Sequence, residues 1–180
     1  YSNNLNSYTK YISTEAVYCS DREVGSGSYN VTGSEFYFNA YSRLETINQP
    51  SYNCTNSKDA FSGSSTEAKL TYPISLMTAD EITYAGGKLY NNALAWYYLN
   101  STGGSITGDN WWWLLTPRRW ASTYFGSFAV RGDVEMPGKL IYGNEIYNLG
   151  YVRPVISLSS DVLYSSGDGS PESPYEIIYN

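Results

Sequence analysis

Histidine is absent from this chain. Its absence removes the Ser-His-Asp and Cys-His triads and the commonest general base. Two cysteines, Cys19 and Cys54, are too few to build a zinc site without histidine or a second cysteine pair. Charge is sparse and its balance is acidic: 11 Lys and Arg against 17 Asp and Glu give a net −6. That balance disfavours a nucleic-acid partner, and Arg118-Arg119 is too short a basic run to reverse it. No apolar run approaches the roughly 20 residues needed to span a bilayer. Membrane attachment is therefore expected only through an upstream anchor. Tyr1 lies inside a helical pattern, so the chain reads as the C-terminal part of a longer exported protein.

What the chain has instead is tyrosine, 20 residues of 180, with abundant Ser, Asn and Gly. Tyr offers large contact area at low entropic cost, and Ser, Gly and Asn add adaptable hydrogen bonds. Tyr and Thr also suit strands exposed on one face. A hydrophobic fraction of 42% supports a real core, and residues 1–180 read as one domain. In an oxidising compartment Cys19 and Cys54 would form a bridge closing about 36 residues; in a reducing one they would be two buried thiols. The Tyr, Asn, Ser and Gly bias favours the bridge.

The pattern along the chain predicts many short strands and two short helices. Leu5, Tyr8, Tyr11 and Ile12 recur at helical spacing from about Asn3 to Ser13. A strand is expected from Glu15 to Cys19, and a Gly/Ser-rich loop from Ser20 to Ser34. Glu35 to Arg43 fits either a strand or a helical turn. Tyr72 to Met77 reads as a strand. Thr78-Ala79-Asp80-Glu81 is a capping box, opening a helix that Gly86-Gly87 stops. Capping accounts for Asp80 and Glu81 without catalysis, since acids favour a helix N-terminus. A last strand is expected from Tyr175 to Tyr179.

The most informative stretch runs from Trp111 to Leu158. Trp111-Trp112-Trp113-Leu114-Leu115-Thr116-Pro117 and Val152-Arg153-Pro154-Val155-Ile156-Ser157-Leu158 read as buried strands. In the first, Trp112 is expected to face opposite to its neighbours. In the second, Arg153 is expected to pair with an acid or with carbonyls. Between them, Arg and aromatics interleave with Ser, Thr and Gly, the residue types of a recognition surface. The expected ligand contacts are Arg118, Arg119, Trp120, Tyr124, Phe128, Arg131, Tyr142, Asn144 and Tyr147. Val130-Arg131-Gly132-Asp133-Val134 reads as a tight hairpin, which explains its Arg-Gly-Asp tripeptide without a receptor. Asp109, Asp133, Glu135 and Glu145 are too scattered to suggest an obligatory calcium site. No cofactor or metal is expected.

Three groups of residues carry a resemblance. They are Cys19-Ser20-Asp21-Arg22; Leu70 to Glu81 with Ala85-Gly86-Gly87; and Trp113-Leu114-Leu115-Thr116-Pro117 with Val152 to Leu158 and the tail Gly167-Asp168-Gly169-Ser170 to Pro174-Tyr175. Together they resemble a bacterial surface domain of the C-type lectin fold, common in gut Firmicutes. Members include variable proteins of diversity-generating retroelements and domains that follow a pilin-like N-terminus. The resemblance implies an α+β fold of short twisted antiparallel strands, two short helices and long loops. It also implies a displayed ligand-binding or adhesion domain at a cell surface or pilus. Its ligand, a protein or a glycan on another cell or host surface, would meet the segment between Arg118 and Tyr151. Formylglycine-generating enzymes share the fold but use an active-site cysteine pair, which Cys19 and Cys54 do not match, so no enzymatic activity is expected. The alternatives are a structural pilin-type subunit whose aromatics mediate assembly, and a phage receptor-binding tip.

Overall fold

The computed structural model describes residues 3–26, 35–91, 111–121, 124–131, 138–170 and 172–178, with all side chains there except those of residues 26 and 142–145. The molecule is a mixture of helix and sheet, dominated by short strands. At its centre is a five-stranded antiparallel sheet. Its strands are β2 (Val24–Ser26), β3 (Phe36–Phe38), β6 (Trp111–Ala121), β7 (Tyr124–Arg131) and β8 (Lys139–Glu145), in that spatial order. Three two-stranded pairs surround it among the described residues. They are β1 (Tyr18–Cys19) with β4 (Ala60–Phe61), β5 (Ser75–Leu76) with β9 (Pro154–Val155), and β10 (Tyr164–Ser166) with β11 (Glu176–Ile177).

The two α-helical pieces among the described residues are short. α1 (Asn39–Tyr41) runs on into a π-helical turn at Ser42–Thr46, so the ambiguous stretch from Glu35 to Arg43 is strand first and helix second. α2 (Ala79–Tyr84) begins as its sequence dictates. The Thr78 hydroxyl accepts from the Glu81 N–H at 3.1 Å, and the Thr78 N–H donates to the Glu81 carboxylate at 2.7 Å. Gly86 then takes a φ of +94°, the left-handed conformation that ends the helix. The N-terminal pattern gives less than expected: a 3-10 turn at Asn6–Tyr11 with no buried residue among them.

The core fills the space between one face of the central sheet and the helical pieces. Ala40, Leu44, Ala79, Ile82, Leu89, Trp112, Leu114, Phe128, Val130 and Leu140 form one contiguous cluster. One buried hydroxyl fastens α2 to the sheet, and a second ties β7 to β6. Thr116 accepts from the Ala79 N–H at 2.9 Å, and Ser127 donates to the Thr116 carbonyl at 2.7 Å. Such pairing is needed because an unpaired buried polar group costs about 1–3 kcal/mol.

The motif from Cys19 to Arg22 is a second fastening. The Cys19–Cys54 disulfide is present, with Cα atoms 5.7 Å apart. Beside it Arg43 reaches both Asp21 and Asp80 at 2.7 Å, and Asp80 also accepts from the Ser51 N–H at 2.8 Å. Arg22 pairs with the buried Asp59. These bonds tie the segments at 19–22 and 51–59 to each other, to the π-helical turn and to α2.

Two expectations need correction. β6 does not stop at Pro117 but continues to Ala121 and pairs with β7. Pro117 is tolerated because the register shifts on both sides of it, and an irregularity needs no N–H from proline. The segment from Val152 to Leu158 is not a buried strand. Pro154–Val155 pairs with β5 and Leu158 bridges Ile12, but Val152, Ile156 and Leu158 face solvent. The expected turn at Gly132 to Val134 lies outside the described residues; on either side of it Arg131 pairs with Lys139.

Candidate functional site

The alternation of β6 decides what its aromatics do. Trp112 is 3% exposed and belongs to the core, whereas Trp111 and Trp113 lie half-buried, their rings in edge contact at 4.6 Å. This is the alternation expected of the three tryptophans. Arg153 places its guanidinium 3.9 Å from the centre of the Trp112 ring, and burial holds its pKa below the usual arginine value. The stack accounts for an arginine next to the core.

The expected ligand contacts divide into three groups. Phe128 is fully buried in the core cluster and cannot touch a ligand. Arg118 is also buried, at 4% exposure. Its guanidinium pairs with Glu45 at 3.0 Å and lies 4.6 Å from the Tyr41 ring centre. These two assignments are corrected for one reason: the Arg- and aromatic-rich run is sheet, and its inward positions close against α1 and the π-helical turn.

Arg119, Trp120, Tyr124 and Arg131 are half-buried. Arg119 pairs with Glu35 at 2.8 Å and lies 4.7 Å from the Tyr124 ring centre. Trp120 stacks on Phe36 at 5.5 Å, and next to it Phe38 meets Phe125 edge-on at 5.6 Å. The outcome is a braced rim, with one edge of each side chain available. Tyr142 and Asn144 lie on β8, and their side chains are outside those described. The acids set aside as calcium ligands lie outside them too: Asp109, Asp133 and Glu135 by position and Glu145 by side chain.

Tyr147 is the expected contact that stands out in solvent, at 68% exposure, and it is not alone. After β8 the chain reads Ile146-Tyr147-Asn148-Leu149-Gly150-Tyr151-Val152. Ile146, Tyr151 and Val152 are each about three-fifths exposed, and Leu149 is 97% exposed. Nevertheless the backbone is held at both ends. The Ile146 N–H donates to Phe125 at 3.1 Å, the Tyr151 N–H to Trp111 at 3.0 Å, and the Trp113 N–H to Tyr151 at 3.0 Å. β7 lies on one side of β6 and Tyr151 on the other, so the loop crosses the sheet. Gly150 is the close approach. A Cβ there would stand 2.3 Å from the Trp111 ring, so only glycine lets the loop lie on the tryptophan.

The loop therefore presents five large apolar side chains on a fixed frame, carries no charge, and borders the braced rim through Phe125. Exposed apolar groups that are contiguous mark interaction sites far more often than scattered ones. Sequence reasoning picked out Tyr147 but missed Ile146, Leu149, Tyr151 and Val152. Their spacing between turn signals was the available clue, and aliphatic residues next to a strand are ordinarily core. Among the described residues no group of His, Cys, Asp and Glu is suited to a metal. No family model, curated protein or solved structure matches the chain.

Proposed function

We propose that this chain is the recognition domain of an exported surface protein, built on a C-type lectin-like fold. It binds a protein or glycan ligand through the loop at 146–152, with Arg119, Trp120 and Tyr124 as its rim. The observation that carries this reading is the combination in that loop of exposed apolar side chains and a hydrogen-bonded backbone. Large apolar groups held in solvent cost solubility, and a pre-ordered loop loses little entropy when it binds. The disulfide supports an oxidising, extracellular setting. Acids near the sheet are engaged structurally, Asp80 with Arg43 and Glu81 in the helix cap, which favours binding over catalysis.

The test uses the fluorescently labelled chain on printed glycans and on immobilised extracellular proteins such as mucins. The wild-type chain should bind a subset of these surfaces. Tyr147→Ser, Leu149→Ser and Tyr151→Ser combined should weaken that binding by at least about tenfold, a single hot-spot aromatic being worth 2 kcal/mol or more. The thermal midpoint should stay within about 2 °C, because exposed positions carry little stability. Unchanged binding by the triple variant would remove the loop from the site.

A further inference from the structure

A second apolar surface lies where the N- and C-terminal parts of the described chain meet. The cause is an inverted alternation. Ser157 points inward: its carbonyl accepts from the Ser13 N–H at 2.9 Å, and its hydroxyl meets the Tyr18 hydroxyl at 3.1 Å. With Ser157 inside, period-two geometry turns Ile156 and Leu158 out. They border a groove of about 200 Å³ whose other walls are Leu5, Tyr8, Tyr11, Ile12 and Ile177. The adjoining hairpin of β10 and β11 adds Tyr164 and Tyr175, in edge contact at 5.0 Å, with Leu163 and Ile178 beside them.

We infer that this face binds a second copy of the chain about a two-fold axis, the groove of each copy receiving an aromatic side chain from the hairpin of the other. Size is the first argument. Tyr8, Ile156, Leu158, Leu163, Tyr164, Tyr175 and Ile178 are between 36% and 62% exposed. Together they offer on the order of 600 Å², close to the roughly 800 Å² each partner gives a standard interface.

Charge is the second argument. Each copy is net acidic, so self-association needs a face without unopposed acids. Lys10 and Asp161 both line the cleft between Tyr11 and Leu163, one of each sign. The Lys10 ammonium lies 4.8 Å from the Tyr11 ring centre, and the Asp161 carboxylate accepts from Ser159. A two-fold axis brings opposite signs together twice, which is the self-complementarity an isologous contact requires. The face is separate from the loop at 146–152, so this inference stands or falls independently of the ligand reading.

Sedimentation velocity from micromolar to submillimolar concentration tests it. The wild-type chain should shift from monomer to dimer across that range. Leu158→Glu and Ile178→Glu should each weaken the dimer by at least about tenfold, with near-ultraviolet circular dichroism unchanged. Lys10→Glu should weaken it too, and adding Asp161→Lys should restore it. The charge swap alters only exposed side chains, so it guards against a folding defect in the glutamate variants. A monomer at every concentration, or a dimer indifferent to both glutamate variants, overturns the inference. Failure of the swap to restore association overturns the two-fold arrangement.

Discussion

At the residue scale, function follows from what each polar group is already committed to. Thr78 spends its hydroxyl on the Glu81 N–H, so Thr78→Ala should cost about 1 kcal/mol by chemical denaturation. An unchanged midpoint would mean that α2 does not rely on this cap. Asp21 illustrates the opposite balance. Burial pushes its carboxyl above the ordinary 3.8, against the pull of Arg43. The native state therefore holds that proton more tightly than the unfolded chain. Its contribution to stability is present below 3.8 and is lost as pH rises through the raised value. Asp21→Asn cannot titrate, so its stability relative to wild type should improve as pH rises through that window. The opposite slope in urea unfolding across acidic pH would show that the attraction of Arg43 outweighs burial.

At the element scale, the β6–β7 hairpin is the frame, and the loop that crosses it is the presented surface. Replacing Arg119, Trp120 and Tyr124 together with Ala should lower stability by at least about 3 kcal/mol, the range for removing large packed aromatics. The ion pair to Glu35 and the stack on Phe36 are lost in the same change. A midpoint unchanged from wild type would mean that this rim packs on nothing. The same residue types that favour recognition surfaces also serve a sheet margin, where Arg stacks on Tyr and Trp on Phe. Composition alone does not separate the two uses.

At the scale of the whole molecule, stability depends on cross-links between long loops as much as on the core. The Cys19–Cys54 bridge spans a sequence separation of 35. Opening it should cost about 4 kcal/mol on the chain-entropy account. Reduction should therefore lower the thermal midpoint by many degrees while the central sheet, which holds neither cysteine, keeps its far-ultraviolet signal at low temperature. A midpoint insensitive to reductant would place the stability entirely in the sheet and in the ion pairs around Arg43 and Arg22.

Local rules settled what is local. The capping box at Thr78, the left-handed stop at Gly86, the alternation of Trp111, Trp112 and Trp113, and the cysteine pairing were legible because each depends on neighbouring residues or on a single pair. Burial was not legible, since it depends on what arrives from elsewhere in the chain. Phe128 and Arg118 looked like contacts until α1 and the π-helical turn closed over them. Val152 read as part of a buried strand, yet the chain crosses the sheet at Gly150, and nothing described covers Val152, Ile146 or Leu149. Side-chain chemistry thus fixed the helix cap, the left-handed stop and the bridge. Only the tertiary arrangement of β6, β7 and the crossing loop decided which aromatics face water, because exposure belongs to the packed assembly of elements and not to any stretch of sequence.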